Sequence, residues 1–420
     1  MRVLLLNPKA AYVLSRFMAA CSHAGVDLSV LMPAQPPLTY TLMSFRHDNL
    51  DGVETIDVAA GDVEAMARAL PRFDAVVPSG EYSVVFGERL AARMGLFHNP
   101  LEQVPAYRDK HLMRQCFAEA GVPQPRVLAR FADMAEVEAF DWPSVRFPVI
   151  VKPVDLSSSF YVRLCRDAAS AKQVYRRIFM HSQSFAGMAF SAQGLLEEVA
   201  EGPEFSAECV VHDGKLAALF LTRKFLSDYP SCDEVGHLSG VPFESEAMRA
   251  QVHDAAARIV RAWHLTSGVM HMEFKWHDGQ LRVIEAACRI GGDMISTLTE
   301  MRHGVALEEC LVRLRAGLDL APAFRHHKPE TGAPDAGPGG SWQYGIKYLF
   351  SENLALPLDP AIELLESVRH TKTDSGPGGY GVENRLGHRL VRSRSPAVLR
   401  AHLAALGSSA TLPAAAVVSV

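Results

Sequence analysis

The sequence predicts an α/β protein built from two or three domains. Its first hundred residues alternate short apolar strands with helices, which is typical of a parallel sheet covered on both faces. Beyond Glu197 the strands instead flank Asp-Gly pairs, a strong signal for antiparallel hairpins. A length of 420 residues also exceeds what one compact domain usually holds.

The N-terminal region has the strand–helix alternation of a dinucleotide-binding fold but lacks its loop. The predicted strands and helices are Val3–Leu6, Tyr12–Ala24, Leu28–Leu31, Ala75–Val77 and Val84–Met94. Asn-Pro-Lys-Ala-Ala follows the first strand where GxGxxG would stand, so NAD binding is not supported. We expect a Rossmann-like domain over residues 1–105.

The middle of the chain predicts two helices and a core strand. A helix around Leu112 should stop at Gly121, because a Gly-Val-Pro sequence ends helices. An acidic helix over Met134–Phe140 follows, and then Phe147–Lys152, a nearly continuous apolar strand. This pattern places Lys152 at the end of a buried strand.

Two hairpins dominate the second half of the chain. They are predicted at Phe205–His212 with Lys215–Thr222, and at Met270–Trp276 with Leu281–Glu285. A helix between them is indicated by apolar residues at helical spacing behind a Ser245 cap, namely Met248, Val252, Ala256, Ile259 and Trp263. Residues 328–340 are rich in Pro and Gly and predict a linker, and the tail to Val420 predicts a strand and a helix.

Composition narrows the class of protein. A net charge of −5 with dispersed basic residues argues against nucleic acid or an anionic membrane as a partner. Seven scattered cysteines without a CxxC pair argue against a disulfide framework and a structural zinc site. No signal peptide or membrane span is recognisable. We expect a soluble cytoplasmic protein.

Two lysines and a serine-rich loop are candidates for binding phosphate. Lys110 opens the helix around Leu112, and Lys152 ends the core strand, where an ammonium can meet a phosphate as a compact charge. The loop after that strand contains Ser157, Ser158 and Ser159, whose small side chains let backbone N–H groups approach phosphate oxygens.

A short acidic connector is a candidate for binding a nucleoside. An adenine needs backbone donors and acceptors from an extended segment, and a ribose needs a carboxylate that accepts from its hydroxyls. An extended connector and a carboxylate that opens the next strand supply both, in Glu197, Glu198, Val199, Ala200 and Glu204.

The second hairpin predicts a metal site. Glu273 and Glu285 lie on its two arms and fall opposite each other or one position offset. Like charges facing across a sheet are destabilising, and a cation between them would relieve the repulsion. Carboxylate oxygens suit Mg²⁺, which typically takes one or two of them together with substrate phosphates. Arg289 follows closely, beside Gly291-Gly292, and can neutralise a transferring phosphoryl group or a carboxylate.

Taken in order, these segments resemble the ATP-grasp superfamily from about Lys110 to Asp293. The carrying sequences are Asp-Lys before a helix ending Ala-Gly-Val-Pro, Phe-Pro-Val-Ile-Val-Lys-Pro, Glu-Glu-Val-Ala-Glu-Gly-Pro-Glu-Phe-Ser, and Val-Ile-Glu-Ala-Ala-Cys-Arg-Ile-Gly-Gly-Asp. The resemblance implies an ATP-grasp fold with an N-terminal domain, a small α+β subdomain over residues 106–198, and a larger antiparallel-sheet subdomain with a lid region over residues 199–420. It implies that the two lysines contact ATP phosphates, that residues 197–200 frame the adenine, and that Glu204 takes the ribose. By the same resemblance Glu273 and Glu285 hold Mg²⁺, with Mn²⁺ as an alternative.

Within the superfamily the chain resembles bacterial L-amino-acid ligases that make dipeptides in secondary metabolism. Glu234-Val-Gly-His237 is similar to their Glu-x-Gly-His element near the amino-acid substrate, and Arg289 matches their active-site arginine. Either Glu234 or His237 could hold the α-amino group of the first substrate or help to deprotonate the second. One departure is Ala287, which stands where most members have an Asn beside the second metal carboxylate.

The implied reaction is ATP-dependent ligation of a small carboxylate to an amine, with an acyl phosphate as intermediate and ADP and phosphate as products. A kinase of the same fold and a non-catalytic nucleotide-binding protein are the alternatives. A metal hydrolase is disfavoured, because the 17 histidines form no HExxH-like motif. The substrates are not identified, and for the oligomeric state a homodimer is the commonest case.

Overall fold

The computed structural model describes most of the chain. The described residues are 1–8, 10–33, 54–58, 63–157, 159–180, 191–227, 232–327, 342–351, 353–354, 356–369 and 385–405. Ser158, the linker predicted at 328–340 and the last residues of the predicted tail lie outside them. Within these ranges, no helix is long and apolar enough to cross a membrane.

The N-terminal sheet is parallel, as the alternating pattern predicts. Its strands run in the order β3-β2-β1-β4, and their bounds are β1 Arg2–Leu6, β2 Asp27–Pro33, β3 Glu54–Val58 and β4 Ala75–Pro78. The helices are α1 Ala11–Ala24, α2 Val63–Ala69 and α3 Val84–Arg93. The apolar run in β1 is buried because helices cover the sheet, and α1 ends at Gly25, whose left-handed φ of 67° suits glycine.

The second sheet is small and antiparallel. Its strands run in the order β5-β8-β6-β7, with β5 Val127–Phe131, β6 Val149–Pro153, β7 Arg163–Cys165 and β8 Gly194–Glu198. Its helices are α4 Lys110–Glu119, α5 Met134–Ala139 and α6 Ala168–Met180, with 3-10 turns at Val104–Tyr107 and Trp142–Ser144. Asp109 caps α4 by accepting from the backbone N–H groups of His111 and Leu112, which fixes Lys110 in the first turn.

The third sheet has eight antiparallel strands in the order β13-β12-β9-β10-β11-β14-β16-β15. Their bounds are β9 Glu204–His212, β10 Lys215–Leu226, β11 Glu234–Ser239, β12 Gly268–His277, β13 Gln280–Ala287, β14 Gln343–Leu349, β15 Ile362–Arg369 and β16 Gly387–Ser393. Both predicted Asp-Gly hairpins are confirmed. All four turn residues have positive φ, between 47° and 71° for Asp213, Gly214 and Asp278 and 73° for Gly279, as a type I′ turn requires.

The large sheet is covered by helices α7 Glu246–Ala262, α8 Ile295–His303, α9 Leu307–Arg315 and α10 Pro396–Ala404, with a 3-10 turn at Ala321–Phe324. The predicted apolar face of α7 is buried in the core, and Ser245 Oγ accepts from Met248 N at 3.1 Å as its cap. Among the strands of the two hairpins, β10 differs most from its prediction, because it runs on to Leu226 instead of ending at Thr222. That extension includes Lys224, which contacts carboxylates on three other strands of the large sheet.

Buried ion pairs join the N-terminal sheet to the large sheet. Arg16 on α1 makes two hydrogen bonds to Glu308 on α9, at 2.7 and 2.8 Å. Glu88 on α3 accepts two from Arg315 at 2.6 and 3.0 Å, and both of these side chains are almost fully buried. These pairs join α1 and α3 of the N-terminal region to α9.

Candidate active site

One cavity lies where the small and large sheets face each other, and it gathers nearly all of the predicted site residues. Those that line it are Lys110, Lys152, Ser157, Ser159, Glu197, Glu198, Val199, Ala200, Glu204, Glu234, Glu273, Glu285 and Arg289. His237 lies directly behind Glu234, with its Nε2 3.0 Å from a Glu234 oxygen. Residues far apart in the sequence thus converge on one place.

Lys152 shares a buried carboxylate with Arg114. Glu197 accepts from Arg114 Nε at 2.8 Å and lies 2.8 Å from Lys152 Nζ, and at most 5% of any of these three side chains is exposed. Burial and then the neighbouring Arg114 lower the pKa of Lys152 to about 8, although Glu197 opposes both. Burial raises the pKa of Glu197, but Arg114 and Lys152 outweigh it and hold that pKa at about 2. Lys152 therefore shares its carboxylate partner with a second cation, Arg114.

The segment 198–200 leaves the small sheet as an extended connector with no regular secondary structure after β8. The Glu198 side chain points outward and pairs with the exposed Arg126 at 2.8 Å. Glu198, Val199 and Ala200 all line the cavity.

Lys110 joins the first turn of α4 to the loop and to the hairpin. Its backbone N–H donates to Val154 O at 2.9 Å, and its Nζ donates to Leu156 O at 2.6 Å. The same Nζ lies 3.0 Å from Glu285 Oε1. Burial lowers the pKa of Lys110, but Glu285 and Glu81 outweigh it, so the pKa lies above its ordinary value.

Glu273 and Glu285 are direct cross-strand partners, which is the closer of the two predicted registers. Their expected repulsion is relieved by protein cations, because Lys224 Nζ lies 2.5 Å from Glu273 and Lys110 pairs with Glu285. Both carboxylates line the cavity and are hard oxygen donors on adjacent strands, so they fit Mg²⁺. Ala287, on the same face, adds a methyl group and no ligand oxygen.

A buried histidine, His271, contacts Glu273. His271 Nδ1 is 2.6 Å from Glu208 Oε1, and its Nε2 is 3.0 Å from Glu273 Oε1. Burial lowers the pKa of His271, but Glu208 and Glu273 outweigh it and raise the pKa to about 9. Glu208 also accepts from Gly291 N at 3.3 Å, so one carboxylate fixes both Glu273 and the turn after Arg289.

The N-terminal region contributes a carboxylate that pairs with Arg289. Glu81, which follows β4 and is 1% exposed, accepts from Arg289 Nε at 2.5 Å. Burial lowers the pKa of Arg289, but Glu81 outweighs it, so the arginine stays charged. Next to it, Tyr82 OH accepts from Ser157 Oγ at 3.0 Å. Arg289 is thereby held between the first and third sheets.

Glu234, His237 and Asp293 form a cluster at the far end of the cavity, with donor atoms within 4.8 Å of one another. His237 is fully buried, and Asp293 Oδ2 lies 3.9 Å from its Nε2. Asp293 in turn makes two hydrogen bonds with Arg385, at 2.9 and 3.0 Å, and the guanidinium stacks 3.7 Å from the Tyr348 ring. The last strands of the chain therefore reach this cluster.

The family comparison agrees with the geometry. Residues 145–297 match the family described as the ATP-grasp domain. These residues are an ATP-grasp domain. The resemblance drawn from the sequence is confirmed, and with it the α/β class with a parallel N-terminal sheet and a large antiparallel sheet.

Relatives of the ATP-grasp domain include peptide-forming ligases at low identity. The chain is 23% identical over 246 residues to an L-arginine-specific L-amino acid ligase of Bacillus subtilis, covering 56% of each. It is 24% identical over 245 residues to dapdiamide A synthase of Enterobacter agglomerans, covering 55% of this chain and 54% of that protein. It is 28% identical over 224 residues to carnosine synthase 1 of Mus musculus, covering 52% and 25%. The matches span about half the length of two relatives and a quarter of the third.

Solved structures share the whole architecture around the ATP-grasp domain. An L-amino acid ligase from Bacillus licheniformis superposes with a TM-score of 0.71 at 17% identity, covering 96% of this chain and 95% of that one. A phosphoribosylglycinamide synthetase from Anaerococcus prevotii superposes with a TM-score of 0.63 at 14% identity, covering 96% and 97%. At these identities the likeness describes the fold.

Several residues of the site were not predicted from the sequence. Lys224 lies on the part of β10 that the prediction omitted, and Arg114 looks like an ordinary helix residue. Glu81 follows β4 of the N-terminal sheet and lies outside the ATP-grasp domain. His271 alone had a usable signal, because it lies two positions before Glu273 on the same face of a strand.

Proposed function

We propose that this protein is an ATP-dependent carboxylate–amine ligase that forms an amide bond through an acyl phosphate and releases ADP and phosphate. We propose an amino acid or another small acid as the carboxylate substrate and an amino acid as the amine. One observation carries the proposal: Arg289, two buried lysines and the facing carboxylates Glu273 and Glu285 line a single cavity.

The nucleotide would lie between the two sheets. Lys152 and Lys110 would be the cations for its phosphates. Lys152 shares its carboxylate partner with Arg114, so a phosphate would stabilise its charge more than that of Lys110. The backbone of residues 198–200 would meet the adenine, and Glu204, with its Oε1 3.2 Å from Lys224, would accept from the ribose hydroxyls. Ser157, Ser158 and Ser159 would cover the phosphates.

Glu273 and Glu285 would hold Mg²⁺, which when bound neutralises phosphate charge and makes the γ-phosphorus more electrophilic. The protein's own contribution to phosphoryl transfer is position and charge. His271 fixes the orientation of Glu273, and Lys110 fixes that of Glu285. Both carboxylates are thus set before substrates arrive.

The acid substrate would place its α-ammonium group against Glu234, His237 and Asp293. Two carboxylates and an imidazole within 4.8 Å of one another offer acceptors for the donors of an ammonium group. The substrate carboxylate would then attack the γ-phosphorus, forming a C–O–P bond as ADP leaves. Because an acyl phosphate hydrolyses in water, the last strands, which reach the cluster through Arg385, would help to exclude solvent.

In the second step the amine attacks the acyl carbon and phosphate leaves. Arg289 would stabilise the oxyanion of the tetrahedral intermediate and the departing phosphate, since its guanidinium cannot lose its charge at neutral pH. His237 or Glu234 would accept the proton that the amine gives up.

The deciding experiment measures ATP-dependent orthophosphate release with Mg²⁺ across all pairs of common amino acids, with mass spectrometry of the products. The expected result is release that requires two substrates and a product whose mass equals their sum minus water. Formation of a phosphorylated product without orthophosphate would refute ligation and establish a kinase. The variant Glu285→Gln should abolish turnover. Glu363→Gln, on an exposed pair with Arg392, should not.

A further inference from the structure

Lys224 is the residue at which three proposed subsites meet. Its Nζ lies 2.5 Å from Glu273 Oε1, 2.6 Å from Glu234 Oε1 and 3.2 Å from Glu204 Oε1. Only 2% of the lysine side chain is exposed. One ammonium group therefore touches the carboxylates proposed for the metal, the acid substrate and the ribose.

Strand pairing fixes this position. Lys224 is the cross-strand partner of Glu204 on β9 and of His237 on β11, and Glu273 comes from β12 on the same face. Lysine is almost never fully buried unless its charge is paired, and this ammonium group has three carboxylate partners. The sheet holds it there.

A second lysine makes the same kind of contact on the other metal carboxylate, because Lys110 Nζ lies 3.0 Å from Glu285 Oε1. Each proposed magnesium ligand therefore already has an ammonium group on one oxygen. Two ammonium groups carry the same charge as one divalent cation. A free divalent cation entering here would meet two fixed positive charges at short range.

We propose that the ammonium groups of Lys224 and Lys110 substitute for the divalent cation at the Glu273–Glu285 pair. Metal binding therefore depends on bound nucleotide. A free cation is repelled by the two ammonium groups. The phosphate oxygens of a bound nucleotide accept hydrogen bonds from those ammonium groups, and the two carboxylates then become available to the metal. This inference rests on the proposed roles of Glu273 and Glu285 as metal ligands.

The test measures Mn²⁺ binding to the nucleotide-free protein by electron paramagnetic resonance and by calorimetry. Wild type should bind Mn²⁺ weakly, and Lys224→Met should bind it at least about tenfold more tightly, because a neighbouring positive charge is gone. With ADP present the sign reverses: Lys224→Met should bind Mn²⁺–ADP more weakly than wild type. A merely structural lysine would not produce opposite changes.

Two further variants serve as controls. Lys275→Met removes the next cation on the same sheet face, 3.9 Å from Glu204, and should leave free Mn²⁺ binding as in wild type. In Glu273→Gln/Lys224→Met the gain in Mn²⁺ affinity should disappear. Unchanged or weaker Mn²⁺ binding in a folded Lys224→Met protein would overturn the proposal.

The proposal stays testable if the methionine variant does not fold. Lys224→Gln keeps hydrogen-bond donors for the carboxylates and should show the same tightening. Mn²⁺ binding to the wild-type protein is a test that does not need the lysine variants. Tight binding without nucleotide that is lost in Glu273→Gln would refute the inference. Failure of the proposed function is distinguishable, because it would be seen as absent amide product with these metal affinities unchanged.

Discussion

Replacing Glu197 by Gln should destabilise the protein strongly, and the size of the effect can be worked from the structure. The carboxylate is the shared anion of Arg114 and Lys152, at 2.8 Å from each, and its side chain is 3% exposed. The amide leaves Arg114 as a buried cation without its anion, and Lys152, whose pKa is already lowered to about 8, must stay unpaired or lose its proton. Breaking a buried pair in this way typically costs about 3–5 kcal/mol.

The matched control is the next residue of the same strand. Glu198 pairs with Arg126 at the same 2.8 Å, but the two side chains are 48% and 72% exposed. Exposed pairs of this kind contribute about 0–1 kcal/mol. Urea unfolding at pH 7 should therefore separate Glu197→Gln from Glu198→Gln by at least about 2 kcal/mol.

Two further readouts test the cause. Since the folded pKa of Glu197 is about 2, below its ordinary 4.5, the stabilisation is complete above pH 4.5 and is lost as the pH falls toward 2. The variant should lack that part of the acid dependence. Saturating ADP should recover part of its stability, because phosphate supplies the anion that Lys152 has lost. A loss below about 1 kcal/mol with unchanged acid dependence would refute the electrostatic argument.

Three other predictions follow from the packing. Gly291→Ala should cost about 1–3 kcal/mol, because its Cβ would lie 2.8 Å from the buried carboxylate and imidazole beneath the turn, whereas Gly292→Ala meets nothing within 4 Å. Burial lowers the pKa of Lys347 to about 7, so that lysine should make stability rise with pH above 7 by up to about 1.4 kcal/mol per pH unit. Lys347→Met should lose that part of the slope in denaturant titrations. Glu88→Gln leaves Arg315 buried without its anion and should cost about 3–5 kcal/mol in urea unfolding.

Each of these has an outcome that contradicts it. Equal stabilities for the two alanine variants would mean that the turn after Arg289 can shift freely. A pH slope that survives in Lys347→Met would assign it to another group. For Glu88, the exposed pair of Glu64 with Arg93 provides the comparison, and a Glu64→Gln variant as unstable as Glu88→Gln would count against burial as the cause.

Much of the fold followed from local patterns in the sequence. The Asp-Gly turns, the Ser245 cap and the apolar face of α7 are decided by residues within a few positions of one another, and all were confirmed. The pairing of Glu273 with Glu285 was also accessible, because a two-residue turn fixes hairpin register.

The charged network of the site was not accessible in the same way. Lys224 contacts Glu234 only because β10 continues past its predicted end and pairs with β11. Arg114 and Glu197 are 83 positions apart and meet where Arg114 also donates to the carbonyls of Val283 and Ile284 on β13. Partners of this kind are set by tertiary packing, and a single sequence contains no local signal for them.

The pairing of Glu81 with Arg289 has a consequence for recombination with related proteins. Arg289 follows β13 of the large sheet, and Glu81, which pairs with it, follows β4 of the N-terminal sheet, 208 positions earlier in the chain. A chimera that exchanged the first hundred residues would replace that carboxylate while keeping the lining residues of the cavity, which come from Lys110 onward. Chimeras designed for new substrates should therefore keep Glu81 together with the pocket, because Arg289 would otherwise lose its carboxylate partner.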